Sequence, residues 1–349
     1  MKQALIKLAA AAAFTTIAGG VAAQEVTIRL QHFVSPNSAN PRYFIEPWAE
    51  KIEAESNGRI NVEIYPLMQL GGRAPDQYDM IRDGVIDGGW VIPGYQPGRF
   101  PEAEALELPF MMPKSGEVSS VAAWVFTQKY LADDFADVQL IAAHMHGRGI
   151  VYKKGAPIEK VEDFAGLKLR GPSRPATMLL KKLGATPVGL PVPAFPEAVS
   201  KGVVDGGVIT YEMAPSLKLD ELTDSNTDVS GDHSLYNLYF IWAMNKDKYN
   251  SLPDDLKAVI DANSGPVASA WAGRAHDTGD KDGKAVLEAS DNMAGQINEA
   301  ETARIMALGD AVTAEWIAEA DAKGLNGQAL VDDARAFVAV AEAQVKPVN

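Results

Sequence analysis

Hydrophobic and polar positions along the chain switch repeatedly between two periods. Val26 to His32 alternates and reads as a first strand. Arg42 to Ser56 places Ile45, Trp48, Ala49 and Ile52 on one face of a helix, and Asn57-Gly58 ends it. Arg59 to Tyr65 alternates again. Ala74 to Arg82 reads as a helix closed by Asp83-Gly84, and Val85 to Ile92 as a strand. Strand, helix, strand, helix, strand implies parallel pairing through helical crossovers.

A second copy of this order follows. Lys160 to Phe164 predicts a short helix, Leu167 to Arg170 a strand, Pro175 to Leu183 a helix, Phe195 to Ser200 a helix, and Val203 onward a strand. The copies share a heptapeptide, Asp83 to Gly89 and Lys201 to Gly207, which agree at five of seven positions 118 residues apart. Beyond Asp232 one more strand, Leu238 to Met244, precedes a helical region. Helices are expected over Asp254 to Ala262, Val267 to His276, Lys284 to Ala307, Ala311 to Ala322 and Gln328 to Val345, with breaks at Gly265-Pro266 and Gly279 to Gly283. The expected fold is an α/β two-lobed clamp with a hinge and C-terminal wrapping helices. Lobe I is assigned 24–147 and 237–275, and lobe II 148–236 and 276–349. A ligand would sit in the crevice at the strand ends.

The N-terminus changes the compartment. Lys2 and Lys7 precede an alanine-rich apolar stretch that ends at Val21-Ala22-Ala23. This is the pattern of a cleavable leader, with cleavage expected after Ala23. Thr15, Thr16, Gly19 and Gly20 interrupt the stretch, which is too short for a spanning anchor. Removing residues 1–23 leaves about 325 residues, a length that suits two lobes better than one core. Loss of two lysines moves the formal charge from −14 to −16, which argues against nucleic acid as a partner. With no cysteine, disulfides and thiolate chemistry are excluded.

Catalytic signatures are missing. There is no Gly-x-Ser-x-Gly elbow, no phosphate-cradling loop and no dinucleotide fingerprint. His144 and His146 fall on one strand face, yet no carboxylate at ligand spacing joins them, so neither a metal nor a cofactor is expected. Acidic runs such as Asp133-Asp134 and Asp332-Asp333 read as solvated helix charges.

Several stretches, in order, carry a resemblance. They are Ile64 to Gly71, Leu106 to Phe110, Asp163 to Arg170, Leu183 to Val188, Gly202 to Gly206 and Leu252 to Leu256. Together they resemble the extracytoplasmic solute-binding proteins of TRAP (tripartite ATP-independent periplasmic) transporters, from about Val26 to about Ile260. The resemblance implies a periplasmic-binding-protein-like clamp, a periplasmic location, and a monomer that catalyses nothing. Its partners would be a small carboxylate ligand and the membrane subunits of a TRAP transporter, with no membrane insertion of the mature chain.

In that family an arginine ending the Gly-Leu-Lys-Leu-Arg strand pairs with the ligand carboxylate. The matching residue is Arg170, and a second family arginine is matched by Arg148. Arginine's planar fork suits a carboxylate in any case. Departures from the family point to the ligand's body. An amide position is apolar here, at Ile209, and the positions bearing carboxylates in sugar-acid-binding relatives fall near Ala74 and Ile92. Aromatic side chains crowd the expected rim at Phe33, Trp90, Tyr95, Tyr211 and Tyr236, with His32 beside Phe33 at the end of the first strand. Fewer polar groups and more rings favour an aromatic or arylaliphatic monocarboxylate. The alternatives are a four-carbon dicarboxylate or keto acid, a periplasmic enzyme acting on an organic acid, the binding protein of an ATP-driven importer, or a ligand sensor.

Overall fold

A computed structural model describes residues 24–345, so the expected leader lies outside the described residues. Strands in the first half are β1 (Val26–Gln31), β2 (Ile60–Tyr65), β3 (Gly88–Val91), β4 (Val138–Met145) and β5 (Gly149–Lys153). They are followed by β6 (Lys168–Gly171), β7 (Thr186–Gly189), β8 (Gly206–Thr210), β9 (Ser225–Val229), β10 (Tyr239–Asn245) and β11 (Met293–Ile297).

These strands form two sheets, ordered β2-β1-β3-β10-β4 and β11-β9-β5-β8-β6-β7. Within each, three strands run parallel around a central one, β1 or β6, as helical crossovers require. An antiparallel strand then flanks each trio: β10 beside β3, and β5 beside β8. The two sheets therefore repeat one plan. The chain crosses between them after β4 and returns after β9.

The shared heptapeptide has a physical role in both copies. Gly84 and Gly202 take φ of 70° and 67°, and each ends a helix in the left-handed region that a glycine enters freely. Val85 and Val203, just beyond, donate back to the carbonyls of Met80 and Ala198. The aspartates then tie the new strand to its parallel neighbour. Asp87 accepts from the Arg29 backbone N–H at 2.9 Å, and Asp205 from that of Lys168 at 2.8 Å.

Three expectations about the C-terminal region are corrected. Helix Pro266–Glu288 runs unbroken through Gly279 to Gly283. A Cβ at Gly283 would lie 1.8 Å from the Tyr211 carbonyl oxygen, and one at Gly279 2.2 Å from the Ala39 Cβ. These glycines allow close packing of a helix that touches both lobes; they do not interrupt it. Residues Met293–Ile297, expected to be helical, form β11, parallel to β9. Helix Glu299–Ala322 then packs on Arg174–Lys182 of lobe II. Helix Gly327–Gln344, assigned to lobe II from sequence, packs instead on Gly116–Tyr130 of lobe I. Among the described residues no helix is long and apolar enough to cross a membrane.

The lobes meet along a seam. Arg174 at the start of a lobe II helix pairs with Glu104 of lobe I (Nη2 to Oε2, 2.6 Å), and Trp316 donates to the same carboxylate at 2.8 Å. Glu107 lies beside them, buried. Its Oε1 accepts from the Tyr239 N–H at 2.9 Å, and desolvation pushes its carboxyl up to about 8.

This packing can be tested at two places. Gly283→Val forces a side chain into the Tyr211 carbonyl and is expected to cost about 1–3 kcal/mol, or roughly 3–8 °C in melting temperature by differential scanning calorimetry. Gly189→Ala, which meets nothing within 4 Å, serves as the neutral control. For Glu107 the folded value lies above the unfolded one, so the unfolded state releases its proton first as pH rises. Stability is then lost between about pH 4.5 and 8. Glu107→Gln has no proton to lose, and its melting temperature should gain on the native protein as pH is raised from 5 to 8.

Candidate functional site

Between the sheets lies a cavity with about 370 Å³ of empty space, counting the part open to solvent. Its polar anchor is Arg170. β6 carries this residue at its third position, with the side chain buried against β8. Nε donates to the Leu190 carbonyl and Nη1 to the Val208 carbonyl, each at 2.8 Å. Nη2 is buried without a partner, and among the described residues no carboxylate pairs with the guanidinium. A Cβ at Gly207 would lie 2.7 Å from the Arg170 Cβ, so the second glycine of the heptapeptide makes room for the arginine's own stem. Two neutral carbonyls orient the fork but do not offset its charge. An anion at Nη2 would do both.

Lobe I supplies rings. Phe33 stacks on Trp90 with centroids 4.9 Å apart and 7° between planes, and Trp90 stacks on Phe240 at 5.1 Å. Trp90 Nε1 donates to His144 Nε2 at 2.8 Å, which fixes the indole plane. Burial and the nearby His276 push His144 well below the usual histidine range, so it stays a neutral acceptor. The Tyr95 hydroxyl crosses the seam and accepts from the Val192 N–H at 2.9 Å. Burial raises its phenol, whose proton remains available to a ligand beside Arg170.

The structure brings together Arg170, Phe33, Trp90, Tyr95, Ile209 and Tyr236, all lining the cavity. Ile92 joins them, whereas Ala74 does not. Three expected residues lie elsewhere. Arg148 follows the crossover from β4; its side chain is half-exposed and pairs with Asp228 of β9 at 2.9 Å. Asp228 also takes Lys114 at 3.0 Å, and this charge network draws Arg148 away from the cavity. Tyr211 opens the turn after β8 and packs under helix Pro266–Glu288, with its hydroxyl 3.5 Å from Asn226 Oδ1. The heptapeptide register explains the difference: Trp90 directly follows its two glycines, and its counterpart is Val208, not Tyr211. His32 is fully buried behind the wall, edge-on to Trp242, with burial holding it at about 4.

Sequence reasoning missed lining residues His146, Phe240, Thr210, Glu212, Met213 and Leu238. In the sequence His146 stands out only as a strand-end histidine beside His144. It lies one residue beyond β4, where the chain leaves the sheet and turns the ring into the cavity. Phe240 sits opposite His144 in the antiparallel ladder, a pairing that sequence alone does not reveal. Among the described residues no group of three or more metal-ligating side chains occurs.

Comparison with known proteins places this geometry. Residues 30–320 match the model of the family described as bacterial extracellular solute-binding protein, family 7 (DctP). A marine metagenome TRAP solute-binding protein, described as specific for aromatic acid ligands and crystallised with 3-hydroxybenzoate, is 41% identical. That match covers 91% of this chain and 99% of that one, with a TM-score of 0.89. A TRAP solute-binding protein from Rhodoferax ferrireducens, in complex with copurified benzoate, is 40% identical over 91% of this chain and 99% of its own, with the same TM-score of 0.89. The outer membrane transporter protein TsaT of Comamonas testosteroni is 26% identical over 91% of this chain and 93% of that protein. In fold and along most of its length, this chain belongs to family 7 of the bacterial extracellular solute-binding proteins, which are solute-binding proteins of transport and not enzymes.

Proposed function

We propose that the protein captures an aromatic monocarboxylate between its lobes and delivers it to the membrane subunits of a TRAP transporter. The observation that carries this reading is the buried Arg170 guanidinium, which has a free Nη2 and no carboxylate partner, in a cavity walled by Phe33, Trp90, Tyr95, Tyr236 and Phe240. The ligand carboxylate accepts from Nη2 and from the Tyr95 hydroxyl, and the ring lies against the lobe I wall. Charge-assisted bonds of this kind contribute roughly 1.5–3 kcal/mol each. Aromatic contact adds to that what its buried area supplies.

Two features favour one carboxylate over two. Arg170 is the only cation lining the cavity among the described residues, and the acid Glu212 stands on the same wall. A second ligand carboxylate would be desolvated with no counter-charge and would face a carboxylate of like sign. The charged start and small-residue end of segment 1–23 support export through a cleaved leader to the periplasm, where such a protein meets its membrane partner.

Calorimetric titration of the mature chain should give submillimolar or tighter binding of benzoate and of phenylacetate, and no heat with succinate or galactonate. Binding of succinate with benzoate silent would replace the reading by dicarboxylate capture. Arg170→Lys keeps a charge but loses the planar fork. Affinity for benzoate is expected to fall about 10- to 100-fold while the circular dichroism spectrum is retained. Equal affinity in that variant would remove Arg170 from the ligand's carboxylate.

A further inference from the structure

Among the described residues, two buried polar atoms of cavity-lining side chains lack a hydrogen-bond partner, and they are of opposite kind. Arg170 Nη2 is a donor, and the proposed carboxylate answers it. The other is Nε2 of His146. The His146 side chain is buried, and its ring stands edge-to-face against Tyr236 at 5.0 Å and against Phe240 at 6.2 Å, two rings of the same cavity. Nδ1 lies 3.2 Å from the Gly147 carbonyl oxygen. A carbonyl only accepts, so this contact assigns the proton to Nδ1. Burial, together with the nearby His276 and the positive charge of Arg170, keeps the imidazole neutral, with its titration moved down to about 3. Nε2 is therefore a lone-pair acceptor at any physiological pH.

We infer that His146 selects aromatic acids whose ring carries a hydrogen-bond donor, a hydroxyl above all, by accepting that proton at Nε2 while Arg170 holds the carboxylate. This rests on the aromatic-acid reading and names the subclass within it. An unsubstituted ring leaves the acceptor buried and unpaired, whereas a phenolic hydroxyl satisfies it, and sites built this way discriminate through the cost of the unpaired group. Glu212 is the other acceptor on the wall. Its Oε1 takes the Thr210 hydroxyl at 3.1 Å, whereas His146 Nε2 is fully buried with no partner among the described residues, so the unmet acceptor is the imidazole and the His146 variants separate the two. Edge-to-face contacts with Tyr236 and Phe240 hold the imidazole, which restricts the direction of its lone pair and favours one ring position for the hydroxyl.

The experiment uses the mature chain and isothermal titration with benzoate, the three hydroxybenzoate isomers and their methoxy counterparts. A methoxy group has the same oxygen but no proton to donate. One hydroxy isomer is expected to bind at least about tenfold more tightly than both benzoate and its own methoxy analogue. In His146→Phe the ratio of hydroxy to unsubstituted acid is expected to fall to within about threefold of unity, and His146→Gln, whose amide oxygen still accepts, should restore part of it. If benzoate binds and no hydroxy isomer gains over its methoxy analogue, the inference fails while the aromatic-acid reading stands. It fails in the same way if the gain persists undiminished in His146→Phe. If no ring-bearing acid binds at all, the aromatic-acid reading fails and takes this inference with it. Even if the variants fold poorly, the absence of a hydroxy-over-methoxy gain on the native chain overturns the inference.

Discussion

The site depends on a cation buried without its counter-charge. Arg170 donates to two backbone carbonyls of its own lobe, Leu190 and Val208, and those bonds aim the guanidinium without neutralising it. A charge out of water and unpaired is costly. The lobe carries that cost because β6, β8 and the residues after β7 hold the side chain from three directions, with Gly207 set back to admit its stem. An arriving carboxylate therefore gains from a donor that has been desolvated and oriented in advance, and little of its binding energy is spent ordering a flexible side chain.

The two lobes share a plan but differ in chemistry. Both place a Gly-Gly pair at the start of the third parallel strand, and both tie it to its neighbour through an aspartate. In lobe I the residue after that pair is Trp90, which joins a stack with Phe33, Phe240 and His144. In lobe II the equivalent residue is Val208, whose carbonyl is spent on Arg170. One copy of the repeat builds an apolar wall and the other an electrostatic anchor. The duplication is visible in the heptapeptides; the divergence that makes the site follows in the next one or two residues.

Much of this was legible from local pattern. Helices Phe195–Ser200 and Asp254–Ala262 begin and end where turn residues and apolar spacing put them. The family resemblance, rather than local pattern, marked Arg170 at the end of the Gly166 to Arg170 stretch, and the structure places that residue on the cavity wall. What failed depended on distant partners. Arg148 is drawn off by Asp228, 80 residues later in the chain, and nothing near Arg148 announces that pairing. Glycines at 279 and 283 look like helix breakers until a second element packs against them. β11 has the composition Met-Ala-Gly-Gln-Ile, without alternation, and becomes a strand only because β9 offers it an edge. His146 was visible only as a strand-end histidine beside His144, since its place in the cavity comes from leaving the sheet one residue after β4 ends.

The split of chemistry between lobes also bears on closure. The rings belong to Phe33, Trp90 and Tyr95 of lobe I and to Phe240 on its returning strand, while the guanidinium belongs to lobe II. A ligand with one apolar end and one anionic end gains its full contact only when both lobes meet it at once. Seam contacts within the protein itself, such as Tyr95 with Val192 and Arg174 with Glu104, join the lobes in the described arrangement, and Glu104 is shared with Trp316 of a helix that runs along both lobes. A ligand that touched only the rings or only Arg170 would bind both arrangements nearly alike and shift nothing. A ligand of amphipathic shape would thus couple capture to any closing of the lobes upon it, because only such a ligand has differential contacts to offer the closed state.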